Sequence, residues 1–255
     1  MLVNEARGLK FYQSSLLAAF PEVVHAFFTR EGGVSAGPFR SLNLSLTVGD
    51  DPGCVEENRR LVQQALDLKA LAAAAQVHGR REAVLTLASL NPGTEVPQVD
   101  VLISREPGLG LLIKQADCQA VMLYDPVKQV AANVHCGWRG QVANLLGRAV
   151  ARLEELFGCR PPDLVAAVGP SLGPCCAEFK NFAREFPPSL WPYQVRPAFF
   201  DLWSLSRDQL TAAGLKPEHL DLAGICTRCR GDDFFSYRRE KITGRQAAVI
   251  ALRTR

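Results

Sequence analysis

The sequence lacks several features that mark whole classes of protein. Its longest alanine- and leucine-rich stretch, 66–77, is interrupted by Asp67 and Lys69, so no run approaches the roughly 18 apolar residues of a membrane-spanning helix. The amino-terminal segment MLVNEARGLKFYQ contains no uninterrupted apolar stretch of the secretory type. The formal net charge is only +3, without a block of like charges. We therefore expect a soluble, cytoplasmic protein that binds neither membrane nor nucleic acid.

The eight cysteines are the next feature to explain. Disulfide frameworks stabilise short secreted chains whose cores are too small. This chain has 255 residues, of which 47% are hydrophobic, and can bury a sizeable core. We therefore predict reduced thiols, each of which is a packing atom, a metal ligand or a nucleophile.

Apolar runs and chain breakers predict a single α+β domain over residues 1–255, with mixed, mostly antiparallel sheets flanked by helices. Asp51 as N-cap and Pro52 at the first helical position open one helix. Further helices are predicted at 142–157 and 200–213, and the alanine-rich stretch before His78 is also read as helical. Short gaps suggest antiparallel neighbours among many of the strands. The predicted strands are 83–87, 99–103, 109–113, 120–124, 129–135, 164–168, 222–226, 234–237 and 246–252.

Three side chains are candidates for a site: His78, Cys118 and His135. Only four histidines occur, and each of these three residues lies close to a small residue at or near the end of a predicted element. Two imidazoles and a thiolate form a donor set that suits zinc and also copper. Taken singly, such a histidine is more often a hydrogen-bonded structural residue and such a cysteine is usually a core residue, and the spacing of the three does not form a short ligand pair.

Ten segments, in order from about residue 25 to 250, resemble the YfiH family. This family is also called the laccase-domain or multicopper polyphenol oxidase family, and its members are described as purine nucleoside phosphorylases. The matching segments are FTREGGVS (28–35), SLNL (41–44), ENR (57–59), QVHG (76–79), ADC (116–118), HCGWRG (135–140), GPSLGPCC (169–176), CT (226–227), FFSYRR (234–239) and TGR (243–245). Gln115 and Cys136 depart from the family pattern, which usually has Thr and Ala there.

The resemblance implies a metal site formed by His78, Cys118 and His135, with zinc as the ion and copper as the alternative. Three protein ligands leave a fourth position open, as in catalytic zinc sites, where the ion acidifies a bound water. The implied reactions are phosphorolysis of purine nucleosides, including methylthioadenosine, and deamination of adenosine. The implied partners are therefore small molecules, a purine nucleoside and phosphate, and the chain is expected to be a monomer or weak dimer. The implied fold resembles that of cysteine deamidase toxins.

The resemblance also suggests roles for individual side chains. His78, Cys118 and His135 are candidates for catalysis, and Asp117 would orient a ligand or carry a proton. Guanidinium groups match phosphate oxygens, which makes arginines candidates for binding the anion. The candidate substrate-binding residues are Arg30, Asn43, Arg59, Arg139 and Arg238.

Other interpretations remain open. Cys118 could be the nucleophile of a cysteine hydrolase, with His135 or His78 as its base. The resemblance implies an amidase acting on peptidoglycan precursors in that case, since some members of the family are described so. A non-enzymatic zinc module would require a fourth protein ligand. Cys226-x-x-Cys229 has the spacing of a zinc half-site, for which 175–176 is the one obvious second pair of donors. Packing in the core is the simpler interpretation of these four cysteines.

Overall fold

Two β-sheets stacked face to face form the framework of the computed structural model, which describes residues 1–90 and 95–254. The strands are β1 (Leu2–Ala6), β2 (Leu9–Gln13), β3 (Val23–Phe28), β4 (Ala70–Ala75), β5 (Glu82–Leu85), β6 (Val96–Pro97), β7 (Val101–Ser104), β8 (Leu109–Gln115), β9 (Gln119–Asp125), β10 (Val130–Cys136), β11 (Val165–Val168), β12 (Gln194–Arg196), β13 (Phe199–Phe200), β14 (Leu220–Leu222) and β15 (Gln246–Leu252). The α-helices are α1 (Ser15–Ala18), α2 (Pro52–Ala65), α3 (Trp138–Val142), α4 (Leu145–Phe157), α5 (Phe182–Glu185), α6 (Leu202–Ala212) and α7 (Tyr237–Glu240).

The first sheet has the strand order β1-β2-β3-β15-β8-β4-β6, and the second has the order β14-β11-β9-β10-β7-β5. Pairing is antiparallel in most of both sheets and parallel at β8-β4-β6, β11-β14 and β7-β5. A small ribbon of β12 and β13 lies apart from them. The predicted α+β class with mixed, mostly antiparallel sheets is therefore confirmed.

The molecule has four layers. Between the sheets, side chains of β8 and β15 such as Ile113 and Ile250 form one core cluster with Met122 of β9. Helix α2 covers the outer face of the first sheet, and α4 and α6 cover the outer face of the second. Strands buried on both faces read as continuous apolar runs, which is why β8, β9 and β15 were recognisable in the sequence.

Helix boundaries follow their local signals. The Asp51 carboxylate accepts a hydrogen bond from the backbone N–H of Cys54, and Pro52 begins α2, as predicted. The helix predicted at 142–157 is divided, because Asn144 adopts left-handed backbone and caps the start of α4. Gly158, with φ +65°, ends it. Within the described residues, none of the helices is long and apolar enough to cross a membrane.

Three local predictions were wrong. Residues 70–75 form strand β4 instead of a helix, because pairing with β8 overrides the helix propensity of alanine. Residues 234–236 form no strand: the two phenylalanines are buried in a loop, and Tyr237 begins helix α7. The strand predicted at 222–226 ends at Leu222.

The expectation that strands close in sequence are antiparallel neighbours also fails over much of the chain. β5 and β7 are parallel, and β7, β8 and β9 alternate between the two sheets. Only β9 and β10 pair as an antiparallel hairpin within this stretch of the described chain. Short connections here lead from a strand of one sheet to a strand of the other. A hydrophobic pattern does not distinguish such a connection from one between paired strands of the same sheet.

Candidate metal centre and active site

Strand ends bring His78, Cys118 and His135 to one end of the sandwich. β4 and β8 are parallel neighbours, so their carboxyl ends share an edge, and His78 and Cys118 follow these two ends. The chain crosses from the first sheet to the second between β8 and β9, at Cys118. His135, near the end of β10, lies opposite Ala120 at the start of β9. The three side chains, called the trio below, converge because of this crossing.

The trio has the spacing of a metal site. One potential ligand atom from each residue lies within 4.8 Å of the other two. The Cys118 Sγ and the His78 Nε2 are 3.8 Å apart. Zinc bond lengths of about 2.0–2.1 Å to nitrogen and 2.3 Å to sulfur place two such atoms roughly 3.6 Å apart in a tetrahedral site. The donors therefore fit a zinc ion in both type and separation.

Asp100, which no motif in the sequence indicated, organises the trio. Its buried carboxylate lies 2.8 Å from His135 Nδ1, which leaves Nε2 of that ring for a metal. The same carboxylate accepts backbone hydrogen bonds from Val77, His78 and Gly79 at 3.3, 3.0 and 2.7 Å. One side chain thus orients the His135 ring and fixes the turn that carries His78. The only signal in the sequence was a lone acidic residue before an apolar strand.

Electrostatics favour a thiolate at Cys118. Burial alone would raise the pKa of this thiol, but hydrogen bonds and charge from His135 and His78 lower its pKa to about 6. Burial would likewise lower the pKa of His135, yet Asp100 and Cys118 raise it to about 9. A thiolate is the form that binds metal or attacks a carbonyl. The arrangement can therefore serve either chemistry.

The backbone around the trio is constrained. His78 and Asp117 have φ values of 57° and 93°, left-handed conformations that cost energy for residues with a side chain. The Asp117 carboxylate accepts hydrogen bonds from Thr227 Oγ1 at 2.8 Å and from the backbone N–H of Arg238 at 2.6 Å. It is therefore already engaged in fixing two loops beside Cys118.

Two cavities border the trio, and both are lined by His78 and Cys118. The first, called the Trp138 cavity, has a volume of about 540 Å³ and combines apolar walls with cationic side chains. The second, called the Lys114 cavity, has a volume of about 530 Å³ and is also lined by His135. Both volumes lie in the usual range of small-molecule sites, about 300–1,000 Å³.

The predicted substrate-binding residues separate into three groups. Arg139 and Arg238 line the Trp138 cavity. The Arg139 guanidinium lies 4.4 Å from the centre of the Trp138 ring and forms no ion pair within the described residues. The Arg238 guanidinium donates a hydrogen bond to the backbone oxygen of Glu178. An arginine without a carboxylate partner can bind an anion at little cost.

Asn43 and Arg59 lie behind the Lys114 cavity. The Asn43 side chain is buried and accepts a hydrogen bond from the backbone N–H of Arg245, a residue of the cavity wall. Arg59 pairs with Glu95, which lines the cavity and also pairs with Lys114. These contacts support the wall instead of reaching the cavity.

Arg30 lies away from both cavities that border the trio. Its guanidinium pairs with Glu240 at 2.8 Å, donates to the backbone oxygen of Arg40 and lies 4.4 Å from the centre of the Phe235 ring. The structure therefore does not bring it together with the trio.

The Lys114 cavity contains further charged groups that the sequence did not indicate. Burial lowers the pKa of Lys114 to about 8, although its ion pair with Glu95 opposes the shift. Arg245 and Tyr237 lie in the same wall. The sequence does not mark Lys114 or Arg245 as a cavity residue, because the side chains around each of them come from other elements of the fold.

The two departures from the family pattern have distinct surroundings. Cys136 is buried and packs in the core cluster between the second sheet and its helices. Burial raises the pKa of its thiol far above the ordinary value. The Gln115 side chain is buried and donates to the backbone oxygen of Pro170.

Two stacked sheets with a His/Cys/His cluster at one end define an α+β protein with a candidate three-ligand metal centre. The chain belongs to the family described as multi-copper polyphenol oxidoreductase laccase, whose model matches residues 24–253. A multicopper cluster is built mainly from imidazoles. Four histidines, of which two lie in the trio, do not supply such a cluster.

Curated relatives agree with this assignment over most of their length. A protein of Deinococcus radiodurans named purine nucleoside phosphorylase is 37% identical, with 97% of this chain and 94% of the relative covered. Purine nucleoside phosphorylase YlmD of Geobacillus stearothermophilus is 34% identical, with 92% of each covered. The crystal structure of YlmD from that organism superimposes with a TM-score of 0.89 at 32% identity, covering 98% of each chain.

Proposed function

We propose that this protein is a zinc-dependent purine nucleoside phosphorylase. The observation that carries the proposal is a His/Cys/His trio, spaced for zinc, at the junction of two cavities of nucleoside size. The names of the curated relatives support the same activity. His78, Cys118 and His135 would hold the ion, which when bound supplies a Lewis acid beside the substrate.

The Trp138 cavity is suited to a nucleoside and an anion together. Trp138 and Phe179 offer aromatic surfaces for a purine, and Leu172 adds an apolar wall. Arg139 and Arg238 would bind phosphate close to the ribose, where it attacks C1′ as the purine leaves. Holding both reactants in one cavity converts an encounter in solution into a reaction between bound neighbours.

The buried carboxylates have positioning roles in this proposal. Asp100 holds the His135 ring and the turn of His78, and Asp117 ties the Cys118 segment to the loops of Thr227 and Arg238. Burial would raise the pKa of Asp100, but its hydrogen bonds with His135 and the backbone N–H of Gly79 lower it, and the Asp117 carboxylate is occupied as a hydrogen-bond acceptor. We propose that neither exchanges a proton with the substrate.

Adenosine deamination and methylthioadenosine phosphorolysis form a finer part of the proposal. Methylthioadenosine carries a thioether in place of the 5′-hydroxyl, a change that the apolar wall of the Trp138 cavity would accept. Deamination replaces the exocyclic amine at purine C6 by oxygen from water, for which a Lewis acid is also suited. Copper in place of zinc would suit the same donors.

The test is an assay of adenosine with phosphate, followed by chromatography. We expect adenine and ribose 1-phosphate in a phosphate-dependent reaction, and inosine if deamination occurs. Chelation should abolish both reactions, and added zinc should restore them. Cys118→Ala should remove the activity and the metal bound at the trio, whereas Cys54→Ala, which changes a thiol on α2 outside the trio, should leave both unchanged. A Cys118→Ala protein that keeps both reactions and the metal of the trio would refute the proposal.

A second candidate function is a Cys/His amidase. The observation that favours it is the line formed by Cys118, His135 and Asp100, in which a thiol, an imidazole and a carboxylate follow one another as in cysteine hydrolases. An amide substrate such as a peptidoglycan precursor would then be cleaved through an acyl-thioester. Hydrolysis of an amide substrate that survives complete metal removal but is lost on alkylation of Cys118 would favour this function over phosphorolysis.

A further inference from the structure

Four cysteines outside the trio form a compact cluster between two loops. Cys175 and Cys176 lie in the loop after β11, and Cys226 and Cys229 lie in the loop after β14. All four sulfur atoms are within 4.8 Å of one another. This group is called the four-cysteine cluster below. The two halves are about 50 residues apart in the chain, so only the fold brings them together.

The sulfur separations are those of thiolates around one ion. Cys229 Sγ lies 3.5 Å from Cys176 Sγ and 3.7 Å from Cys175 Sγ. Four ligands at the zinc–sulfur distance of about 2.3 Å are roughly 3.8 Å apart in a tetrahedron. A disulfide would require a sulfur–sulfur distance of about 2.05 Å. The cluster is therefore close to the geometry of a tetrahedral site and far from that of a covalent bond.

Two of the four sulfurs accept hydrogen bonds from surrounding groups. The backbone N–H of Gly173 donates to Cys226 Sγ at 3.3 Å, and the Arg228 guanidinium donates to Cys176 Sγ at 3.5 Å. Arg196 lies against the same loop, donating to the backbone oxygen of Cys175 at 3.1 Å. Four thiolates around a divalent cation carry a net charge of about −2, which two adjacent guanidinium groups offset.

We propose that the four-cysteine cluster binds a structural zinc ion, distinct from the ion of the trio. Cys226-x-x-Cys229 has the usual spacing of a zinc half-site, and four protein sulfurs close the coordination sphere, as structural sites require. The four thiols lose their protons to solvent as the ion binds. Cys176 and Cys226 are buried, whereas Cys175 and Cys229 are exposed and provide a path for the ion to enter.

The ion would tie together the loops that support the candidate active site. Ser171, four residues before Cys175, bridges to Cys226. Leu172 donates its backbone N–H to the backbone oxygen of Asp117 at 2.8 Å, and Thr227 donates to the carboxylate of the same residue. Both loops thus contact the residue beside Cys118. Loss of this zinc should loosen the Asp117 segment without removing any ligand of the trio.

Metal content of the purified full-length chain is the first test. We expect two zinc ions per chain by elemental analysis. Cys229→Ser and the double variant Cys175→Ser/Cys229→Ser change exposed residues and should each retain one zinc. His78→Ala should also retain one zinc, that of the four-cysteine cluster, because it loses the ion of the trio. Cys54→Ser is the matched control, because it removes a thiol on α2 outside both groups, and it should retain two zinc ions.

Spectroscopy of the His78→Ala protein isolates the four-cysteine cluster. Its remaining zinc should show sulfur neighbours alone, at about 2.3 Å by X-ray absorption. Cobalt substituted for zinc should give the intense thiolate charge-transfer bands of a tetrahedral sulfur site. In wild-type protein the melting temperature should fall when the ion of this cluster is removed, and addition of zinc alone should restore it.

Several outcomes would overturn the proposal. Cys229→Ser with unchanged zinc content would do so, as would nitrogen neighbours in the absorption spectrum of His78→Ala. A disulfide found by mass spectrometry in the untreated protein, or iron in place of zinc at four sulfurs, would also contradict it. Failure of the phosphorylase assay would not, since these measurements do not depend on turnover.

Discussion

Replacement of Asp100 by asparagine tests how the trio is held. Each carboxylate oxygen has two partners: Oδ1 faces His135 Nδ1 and the His78 N–H, and Oδ2 accepts from the N–H groups of Val77 and Gly79. Asparagine keeps the shape but turns one of these acceptors into a donor. Two donors, at least one of them a partly buried backbone N–H, then face an NH₂ group and lose their partner.

The expected magnitude follows from these contacts. An unpaired buried donor costs about 1–3 kcal/mol, and the backbone donors here are partly buried, so the metal-free protein should lose about 2 kcal/mol of unfolding free energy, the lower end of that range for two donors. Removing the partner of a metal-binding histidine typically weakens metal affinity about 10–100-fold. We expect a zinc dissociation constant raised by that factor at the trio, with kcat/KM falling in proportion when zinc is limiting.

The assay is competition for zinc with a chromophoric chelator, in a Cys229→Ser background so that only the trio is titrated. Urea unfolding of the metal-free protein gives the stability change. Asp125→Asn is the matched control, because Asp125 is also buried and accepts backbone hydrogen bonds, from Val127 and Lys128, at the opposite end of β9. Zinc binding as tight in Asp100→Asn as in the unaltered chain, or an equal loss in Asp125→Asn, would refute the reasoning.

Three further perturbations give separate checks. Gly137→Ala would place a methyl group 3.0 Å from Cys118 Sγ and 3.3 Å from His78, so zinc affinity measured by chelator competition should fall about 10-fold or more. Arg139→Met should lower kcat/KM for phosphate about 10–100-fold through loss of a charge-assisted contact, whereas Arg30→Met should leave it near wild type. Burial lowers the pKa of His25 from 6.5 to about 4. The unfolded state therefore binds the extra proton between these pH values, and the unfolding free energy should fall by about 3 kcal/mol as pH drops from 6.5 to 4. Urea titrations at both pH values should show a smaller fall in His25→Gln.

Local sequence was sufficient for much of the secondary structure. The Asp51-Pro52 start and the Gly158 end of helices depend on backbone conformations that neighbouring residues determine. Where long-range contacts oppose local preference, the prediction failed. The alanine-rich segment 70–75 is the clearest example, since pairing with β8 makes it a strand.

The sequence by itself determined the class of fold, the positions of the buried strands and, through resemblance, three metal-ligand candidates. Only the tertiary structure decided that the chain changes sheets at Cys118, which brings His78 and His135 to it from strands of different sheets. It also revealed Asp100 as their shared support and assembled four cysteines from two distant loops. The physical reason is that a hydrophobic period specifies which residues are buried, whereas neighbours in space depend on how strands pair and layers pack across the whole chain.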